Sequence, residues 1–151
     1  MHARPLAFAT FAIATDDDVK PYYSINDPEK LKKILETKLS EYNESNARMD
    51  LVLFTQAMEH VCRVSRIIDT PRGNALLVGV GGSGKQSLTR LAAFISSYSV
   101  VQLKLTASYS MTDFKQDVFG LYSSAGLKGN QIVFLFTDQQ VGATHPIRAH
   151  A

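Results

Sequence analysis

A glycine-rich run at residues 79–87 carries the clearest chemical signal in this chain of 151 residues. The run reads Gly79-Val80-Gly81-Gly82-Ser83-Gly84-Lys85-Gln86-Ser87 and matches the pattern GxxxxGK. Its glycines allow successive backbone N–H groups to curve around the phosphates of a nucleotide, and the lysine reaches the outer phosphates. The pattern usually continues with a Ser or Thr hydroxyl that contacts Mg2+, whereas this chain has Gln86. The run therefore predicts nucleotide binding and gives no support to hydrolysis.

A second candidate group is the carboxylate of Asp138, which ends the apolar segment 131–138. In proteins with such a loop, a strand that ends in aspartate holds Mg2+ and its water beside the phosphates. The next residue is Gln139, whose amide cannot accept a proton as a general base does but can orient water. We therefore predict Asp138 as the metal ligand and assign no catalytic residue. The alternative is a buried strand that simply ends in an acidic residue at the surface.

The segments around the loop predict the elements that must position it. Residues 75–80 form a short apolar run after the turn signal at 71–74, which predicts a strand buried on both faces. After Lys85, apolar residues recur at helical spacing, namely Leu88, Leu91, Ala92 and Ile95. A strand, the loop and a helix in this order place the positive end of the helix dipole at the phosphates. The alternative is a glycine-rich turn that binds nothing.

The rest of the chain predicts helices and strands in alternation. The predicted elements are a helix opened by Asn26-Asp27-Pro28, a helix from about Asp50 to Ile68, a strand at 100–106, a helix opened by a capping box at Ser110-Met111-Thr112-Asp113, and a strand at 131–138. The helix after Ser110 carries one apolar face, made of Phe114, Val118, Leu121 and Tyr122. The predicted fold class is α/β, with an incomplete parallel sheet preceded by two helices.

Composition limits the possible functions. With 45% apolar and 20% charged residues, the chain can form one domain with a genuine core. A net charge of +2 favours neither nucleic acid nor an anionic membrane as a partner. The single cysteine, Cys62, excludes an internal disulfide and is expected to be buried on a helix. His60 lies two residues away, so a helix would point the two side chains to different sides, and we predict no metal pair there.

Several segments together resemble the fourth AAA+ module of an axonemal dynein heavy chain, over residues 5–140. The Gln86-Ser87 pair after the lysine departs from the general loop pattern and is itself characteristic of that module in ciliary dyneins. The matching segments are Leu51-Val52-Leu53-Phe54, Arg63, Arg66, Ile67, 71–88 and 133–138.

The resemblance implies a P-loop NTPase core of the AAA+ type, with three layers, in the ring of a microtubule-based ciliary motor. Its cofactors would be ATP or ADP with Mg2+, the phosphates on Gly79 to Lys85 and the ion on Asp138, with Gln86 or Ser87 replacing the usual hydroxyl. The residue after the aspartate is usually glutamate in AAA+ ATPases, and the fourth module of such rings is regarded as regulatory. We therefore expect weak hydrolysis or none.

The resemblance also implies partners, a location and a division of the chain. Leu51 and Val52 match a segment that packs near the nucleotide base in AAA+ modules, although plain core packing is an equal alternative. The implied partners are neighbouring AAA+ modules, dynein intermediate and light chains, and microtubules through the parent motor, with no nucleic acid and no membrane. The implied location is the cytoplasm and cytoskeleton, in the axoneme of a cilium. We expect an N-terminal segment at 1–25, a partial AAA+ module at 26–140 and an unrelated or disordered tail at 141–151.

The departure from the family begins after Asp138, and we expect a truncated module. In AAA+ modules the strand that lies between the loop strand and the aspartate strand comes later in the chain, so apolar strand edges would stay unpaired. Two other functions remain open. One is a non-catalytic interaction module with a vestigial nucleotide site and a working surface around Lys32 and Arg63. The other is a small-molecule kinase, which the missing hydroxyl after Lys85 and the lack of a substrate lid do not favour.

Overall fold

The computed structural model describes residues 7–11, 21–106, 108–138 and 140. The chain divides into two compact units, Met1–Ser97 and Tyr98–Ala151. Gln139 and the predicted tail at 141–151 lie outside the described residues, as does most of the predicted N-terminal segment. Among the described helices, none is both long and apolar enough to cross a membrane.

Three helices and a short pair of antiparallel strands form the first unit. Its elements are β1 (Ala7–Ala9), β2 (Tyr23–Ile25), α1 (Pro28–Ser45), α2 (Thr55–Asp69) and α3 (Lys85–Ile95). Strand β1 pairs with β2, and helix α2 packs against α1, α3 and β1. The centre of this packing contains Leu35, Val61, Leu91 and Ala92, each with 0% exposure. Burial of such apolar side chains is the main stabilising term of a unit of this size.

Helix α1 begins where the sequence predicts. The Asp27 carboxylate accepts hydrogen bonds from the backbone N–H groups of Glu29 and Lys30, at 3.0 and 3.3 Å. Pro28 occupies the first helical turn, where its missing N–H costs nothing. The predicted cap at the start of this helix is confirmed.

The predicted start of helix α2 near Asp50 is wrong, because the helix begins at Thr55. The connection before it is held by Asn43, whose side-chain amide accepts from the N–H of Met49 at 2.8 Å and donates to its carbonyl at 3.2 Å. Burial then alternates along the connection: Leu51 and Leu53 turn toward the core, and the residue after each is exposed. All four residues at 51–54 are apolar, so the sequence does not reveal this alternation.

The predicted strand at 75–80 is also wrong. The segment has no regular secondary structure, and Leu76, Val78 and Val80 are 91%, 87% and 78% exposed. Leu77 is partly buried and packs against the core of the first unit. A strand needs hydrogen bonds to a neighbour, and the strand pairs among the described residues are β1 with β2 and, in the second unit, two further strands with each other. No neighbour among the described residues therefore turns this apolar run into a buried strand.

The second unit contains the parallel strand pair of the fold. Its elements are β3 (Ser99–Val101), α4 (Met111–Tyr122), a π-helical turn (Ser123–Leu127) and β4 (Ile132–Phe134). Strands β3 and β4 pair in parallel, with Val100 opposite Val133. Both strands are shorter than the predicted segments 100–106 and 131–138, although Leu103 and Leu135 beyond them are buried. A helix between two parallel strands confirms the α/β class, and the three-layer AAA+ core stays an expectation from the family.

Helix α4 opens with the predicted capping box. The Ser110 hydroxyl accepts from the N–H of Asp113, and the Asp113 carboxylate accepts from the N–H of Ser110. The predicted apolar face is weaker than expected, since Phe114, Val118 and Leu121 are half-buried and Tyr122 is exposed. No described residue of α4 is buried, so this helix depends on its cap more than on packing.

Candidate nucleotide-binding site

The conformation of the 79–87 loop depends on two glycines. Gly82 and Gly84 both have φ of +75°, in the left-handed region that side chains with a Cβ avoid. A Cβ at Gly82 would meet no atom within 4 Å, and one at Gly84 would meet only Leu51 at an ordinary 3.6 Å. Backbone conformation, and not crowding, therefore makes glycine necessary at these two positions.

Helix α3 begins at Lys85, so the last three residues of the 79–87 run form its N-terminus. Gly84 is the capping residue, Lys85 is the first helical residue, and the first intrahelical bond runs from Leu88 N to Gly84 O at 2.8 Å. The N–H groups of the preceding helical residues have no intrahelical acceptor. The first turn contains no acidic residue that would compete for them. This end of the helix carries partial positive charge and favours an anion.

The ammonium group of Lys85 lies inside the loop. Its Nζ donates hydrogen bonds to the carbonyl oxygens of Gly79 and Val80, at 2.8 and 2.7 Å, and to the hydroxyl of Ser83 at 3.1 Å. The loop's own oxygens therefore hold this cation within the glycine-rich run. The arrangement combines one full positive charge with the end of a helix dipole, and both favour an anion.

The polar side chains that follow Lys85 differ in their exposure. Gln86, at the position of the usual hydroxyl, is exposed, and Ser87 is half-buried. The buried Thr89 hydroxyl donates to the carbonyl of Lys85 at 2.8 Å and is committed to the helix. Of the residues after the lysine, Gln86 and Ser87 are therefore the ones whose side chains face an open environment.

A turn ahead of the loop fixes where it starts. The N–H of Gly73 donates to the carbonyl of Thr70 at 2.9 Å, and Arg72 has φ of 59°. A Cβ on Gly73 would lie only 1.8 Å from the carbonyl oxygen of Ile67. The turn thus folds tightly against the C-terminal end of α2, in a space that admits only glycine.

Leu51 contacts the loop, and Val52 does not pack in the core. Leu51 is partly buried against the core cluster and approaches Gly84. Val52 is 78% exposed, so plain core packing, the alternative for this pair, does not account for it. Core packing therefore explains Leu51 but not Val52.

Asp138 lies in the second unit, after β4, in the first turn of a helical segment. Its side chain is exposed, and no ion pair involves it within the described part of the chain. Since Asp138 and the loop belong to different units, their approach to each other stays a prediction. No group of three or more His, Cys, Asp or Glu suited to a metal occurs among the described residues. Mg2+ held at phosphates needs only one or two protein ligands, so an exposed carboxylate fits it.

Gln140 is the residue that sequence reasoning missed. The prediction places it at the start of the departure from the family, yet its side chain is buried at 3% exposure and binds both strand ends of the second unit. Thr137 and Gln140 have the spacing of a capping box, which is the signal that could have found the bond to Thr137. The bond to Leu103 leaves no such pattern.

The remaining candidates have structural explanations. Cys62 is buried, and burial raises the pKa of its thiol to about 11, so it is not a reactive thiolate. His60 is exposed, as predicted. The cations of the proposed interaction surface bind acidic residues on their own helices, Lys32 with Glu36 at 4.0 Å and Arg63 with Glu59 at 3.3 Å.

Comparisons with known proteins agree with the resemblance. Residues 49–146 match the family model of the P-loop containing dynein motor region D4. The chain is 57% identical over 140 residues to the dynein beta chain of the flagellar outer arm of Chlamydomonas reinhardtii. It is 50% identical over 141 residues to the ciliary dynein beta chain of Tripneustes gratilla and 49% identical over 141 residues to human dynein axonemal heavy chain 17. These alignments cover 91%, 93% and 93% of this chain but only 3% of each relative.

Proposed function

The chain belongs to the family of P-loop containing dynein motor regions D4, and from this premise we propose that it forms a nucleotide-binding module of a ciliary dynein heavy chain. In this proposal ATP or ADP binds at Gly79–Ser87 and is hydrolysed weakly or not at all. The observation that supports it most is the position of Lys85 Nζ, 2.8 and 2.7 Å from the carbonyls of Gly79 and Val80, at the N-terminus of α3.

Each group of the loop has a role in this proposal. The N–H groups of the glycine run and of the first turn of α3 donate to the phosphate oxygens. Lys85 exchanges its bonds to two neutral loop carbonyls for bonds to the outer phosphates, which are stronger because both partners are charged. Leu51 and the exposed Val52 provide an apolar contact for the base.

Asp138, with Gln86 or Ser87, would hold Mg2+. An ion held there would supply positive charge that neutralises the phosphates. Gln86 offers an amide oxygen where the usual hydroxyl would be, and Gln139 offers an amide where a general base would be. Neither residue accepts a proton as a base does. In this proposal the bound nucleotide is therefore hydrolysed weakly or not at all.

The whole motor enters the proposal through the relatives. They are named as flagellar outer-arm, ciliary and axonemal chains, and this chain spans about 3% of their length. We place the parent motor in the axoneme, within the cytoskeleton. Its partners in this proposal are the neighbouring AAA+ modules of the ring, the intermediate and light chains, and microtubules. A nucleotide held at this module would regulate the ring without supplying its main hydrolysis.

Binding of a fluorescent ATP analogue to the full chain tests the proposal. We expect measurable affinity in the wild type and a loss of about 100-fold in Lys85→Ala, since hydrogen bonds to charged groups are worth up to about 3 kcal/mol. Lys33→Ala is the matched control, because Lys33 is exposed on α1 in the same unit. Equal, negligible binding by the wild type and Lys85→Ala would contradict nucleotide binding by this polypeptide.

That outcome would favour the alternative, a non-catalytic interaction module with a vestigial site. One observation supports the alternative: Val52 and Phe54 are 78% and 57% exposed on one connection of the first unit. Lys32 and Arg63 are weaker candidates for its surface, since both have ion-pair partners on their own helices.

A further inference from the structure

Gln140 is a buried polar residue whose side chain joins two strand ends. Its Oε1 accepts hydrogen bonds from the backbone N–H of Thr137 at 2.7 Å and from the Thr137 hydroxyl at 3.3 Å. Its Nε2 donates to the carbonyl of Leu103 at 2.8 Å. The backbone N–H of Gln140 donates to the carbonyl of Thr137 at 2.9 Å. One amide thus caps the helical turn that begins at Thr137 and ties it to the segment that follows β3.

These bonds continue the contact between the two strands beyond the paired residues. The last ladder position is Val101 opposite Phe134, and Leu135 N then donates to Val101 O at 2.9 Å. Further along, the Gln140 side chain takes the place of a backbone ladder between Leu103 and Thr137. Asp138 lies within the turn that Gln140 closes, and its own side chain is exposed.

We propose that Gln140 is the positioning residue of Asp138. By fixing this helical turn to the segment after β3, it sets the direction in which the Asp138 carboxylate leaves the backbone. The inference rests on the proposed function in one respect, which is that the carboxylate so positioned serves Mg2+ at a bound nucleotide. Replacing a residue that orients a metal ligand without touching the metal lowers metal affinity by about 10- to 100-fold.

Glutamine is suited to this role because its amide has both a donor and an acceptor. The Thr137 N–H needs an acceptor, and the Leu103 carbonyl needs a donor, on opposite sides of one buried side chain. An apolar replacement would leave both backbone groups buried without a partner, which is costly. A shorter amide would keep the chemistry but could not reach both groups.

Two measurements on the full chain test the inference. The first is the affinity for the fluorescent ATP analogue in Mg2+ divided by its affinity in EDTA. The second is the hydrogen-exchange rate of the Thr137 and Asp138 amides. For Gln140→Met, which keeps the volume but loses the side-chain hydrogen bonds, we expect the Mg2+ ratio to fall about tenfold. We expect the EDTA affinity to stay as in the wild type and both amides to exchange faster.

Control variants separate positioning from a general effect on folding. Gln116→Met makes the same replacement at an exposed glutamine of α4 and should change neither measurement. If Gln140→Met does not fold, Gln140→Asn provides the test, because it keeps an amide at the site. An equal loss of affinity in Mg2+ and in EDTA, or an unchanged ratio with unchanged exchange, overturns the inference.

Failure of the proposed function gives a different result. The wild type itself would then show no binding, or no dependence on Mg2+. In that case hydrogen exchange alone decides the inference about the turn. Faster exchange at Thr137 and Asp138 in Gln140→Met supports it, and wild-type rates at both amides overturn it.

Discussion

The phosphate loop and the turn that carries Asp138 obtain their conformations in different ways. In the loop, backbone angles and backbone hydrogen bonds set the conformation. Gly82 and Gly84 adopt φ of +75°, and Lys85 binds two backbone carbonyls. In the turn 137–140, a side chain decides, because the Gln140 amide bonds to Thr137 and to a neighbouring strand end. Glycines in left-handed positions can be recognised in the sequence, whereas the long-range bond from Gln140 to Leu103 cannot.

The packing around the two regions differs in the same direction. The first unit contains large side chains with 0% exposure, such as Leu35 and Leu91. In the second unit the buried apolar side chains Leu103 and Leu135 retain 8% and 9% exposure, and no described residue of α4 is buried. The second unit therefore depends more on side-chain hydrogen bonds, and substitutions in each unit can test this contrast.

The largest effect is expected for Gly73→Ala, in the turn before the loop. The new Cβ would lie 1.8 Å from the carbonyl oxygen of Ile67, so the backbone must move. We expect a loss of about 4 kcal/mol in the free energy of unfolding, in the range where a single substitution has a specific steric cause. Urea denaturation of the full chain measures it.

Gly126→Ala is the matched control for that substitution. A Cβ at Gly126 meets no atom within 4 Å, and the residue lies in the π-helical turn, so its replacement should be close to neutral. Equal free energies of unfolding for the two variants would mean that the backbone approach at Gly73 does not order the loop, and the contrast between the regions would be lost.

The sequence predicts those parts of the site that depend on residue type. The GxxxxGK run, the cap at Asp27 and the capping box at Ser110 are each visible because glycine, aspartate and serine have special backbone roles. The structure confirms both caps, and it gives Gly82 and Gly84 the left-handed conformation that the loop pattern requires.

The sequence does not predict features that depend on neighbours. Residues 75–80 have the composition of a buried strand, but burial requires strands on each side, and composition cannot say whether they are present. Residues 51–54 are all apolar, so their pattern does not distinguish a helix from an extended chain. The connection is instead held by the hydrogen bond between Met49 and the Asn43 amide. Gln140 was missed because the reason for its burial is a carbonyl 37 residues earlier in the chain.

An intermediate effect is expected for Gly84→Ala, which tests the backbone control of the loop directly. An alanine at φ of +75° should lower the free energy of unfolding by about 1.5 kcal/mol. Relaxation of that strain would also turn the first N–H groups of α3 away from the phosphates, so affinity for the ATP analogue should fall. Gly129→Ala introduces the same strain at φ of +68° in the second unit and should leave that affinity unchanged. If both variants lose affinity equally, the loop has no special dependence on Gly84.

The smallest effect is expected for Ser110→Ala, which tests the dependence of the second unit on side-chain hydrogen bonds. Loss of a serine cap lowers the free energy of unfolding by about 1 kcal/mol at neutral pH.

Hydrogen bonds from the side chain and backbone of Ser110 hold the pKa of the Asp113 carboxyl below its usual range. A lowered pKa means that the stabilisation is complete above the ordinary aspartate pKa of about 4 and is lost as the pH falls through the lowered value. The difference in the free energy of unfolding between wild type and Ser110→Ala should therefore shrink in acid. Urea denaturation at neutral pH and at acid pH measures it. Ser40→Ala, at an exposed serine of α1, is the control and should show no such dependence on pH. If the difference between wild type and Ser110→Ala persists in acid, the ionised capping box does not stabilise α4.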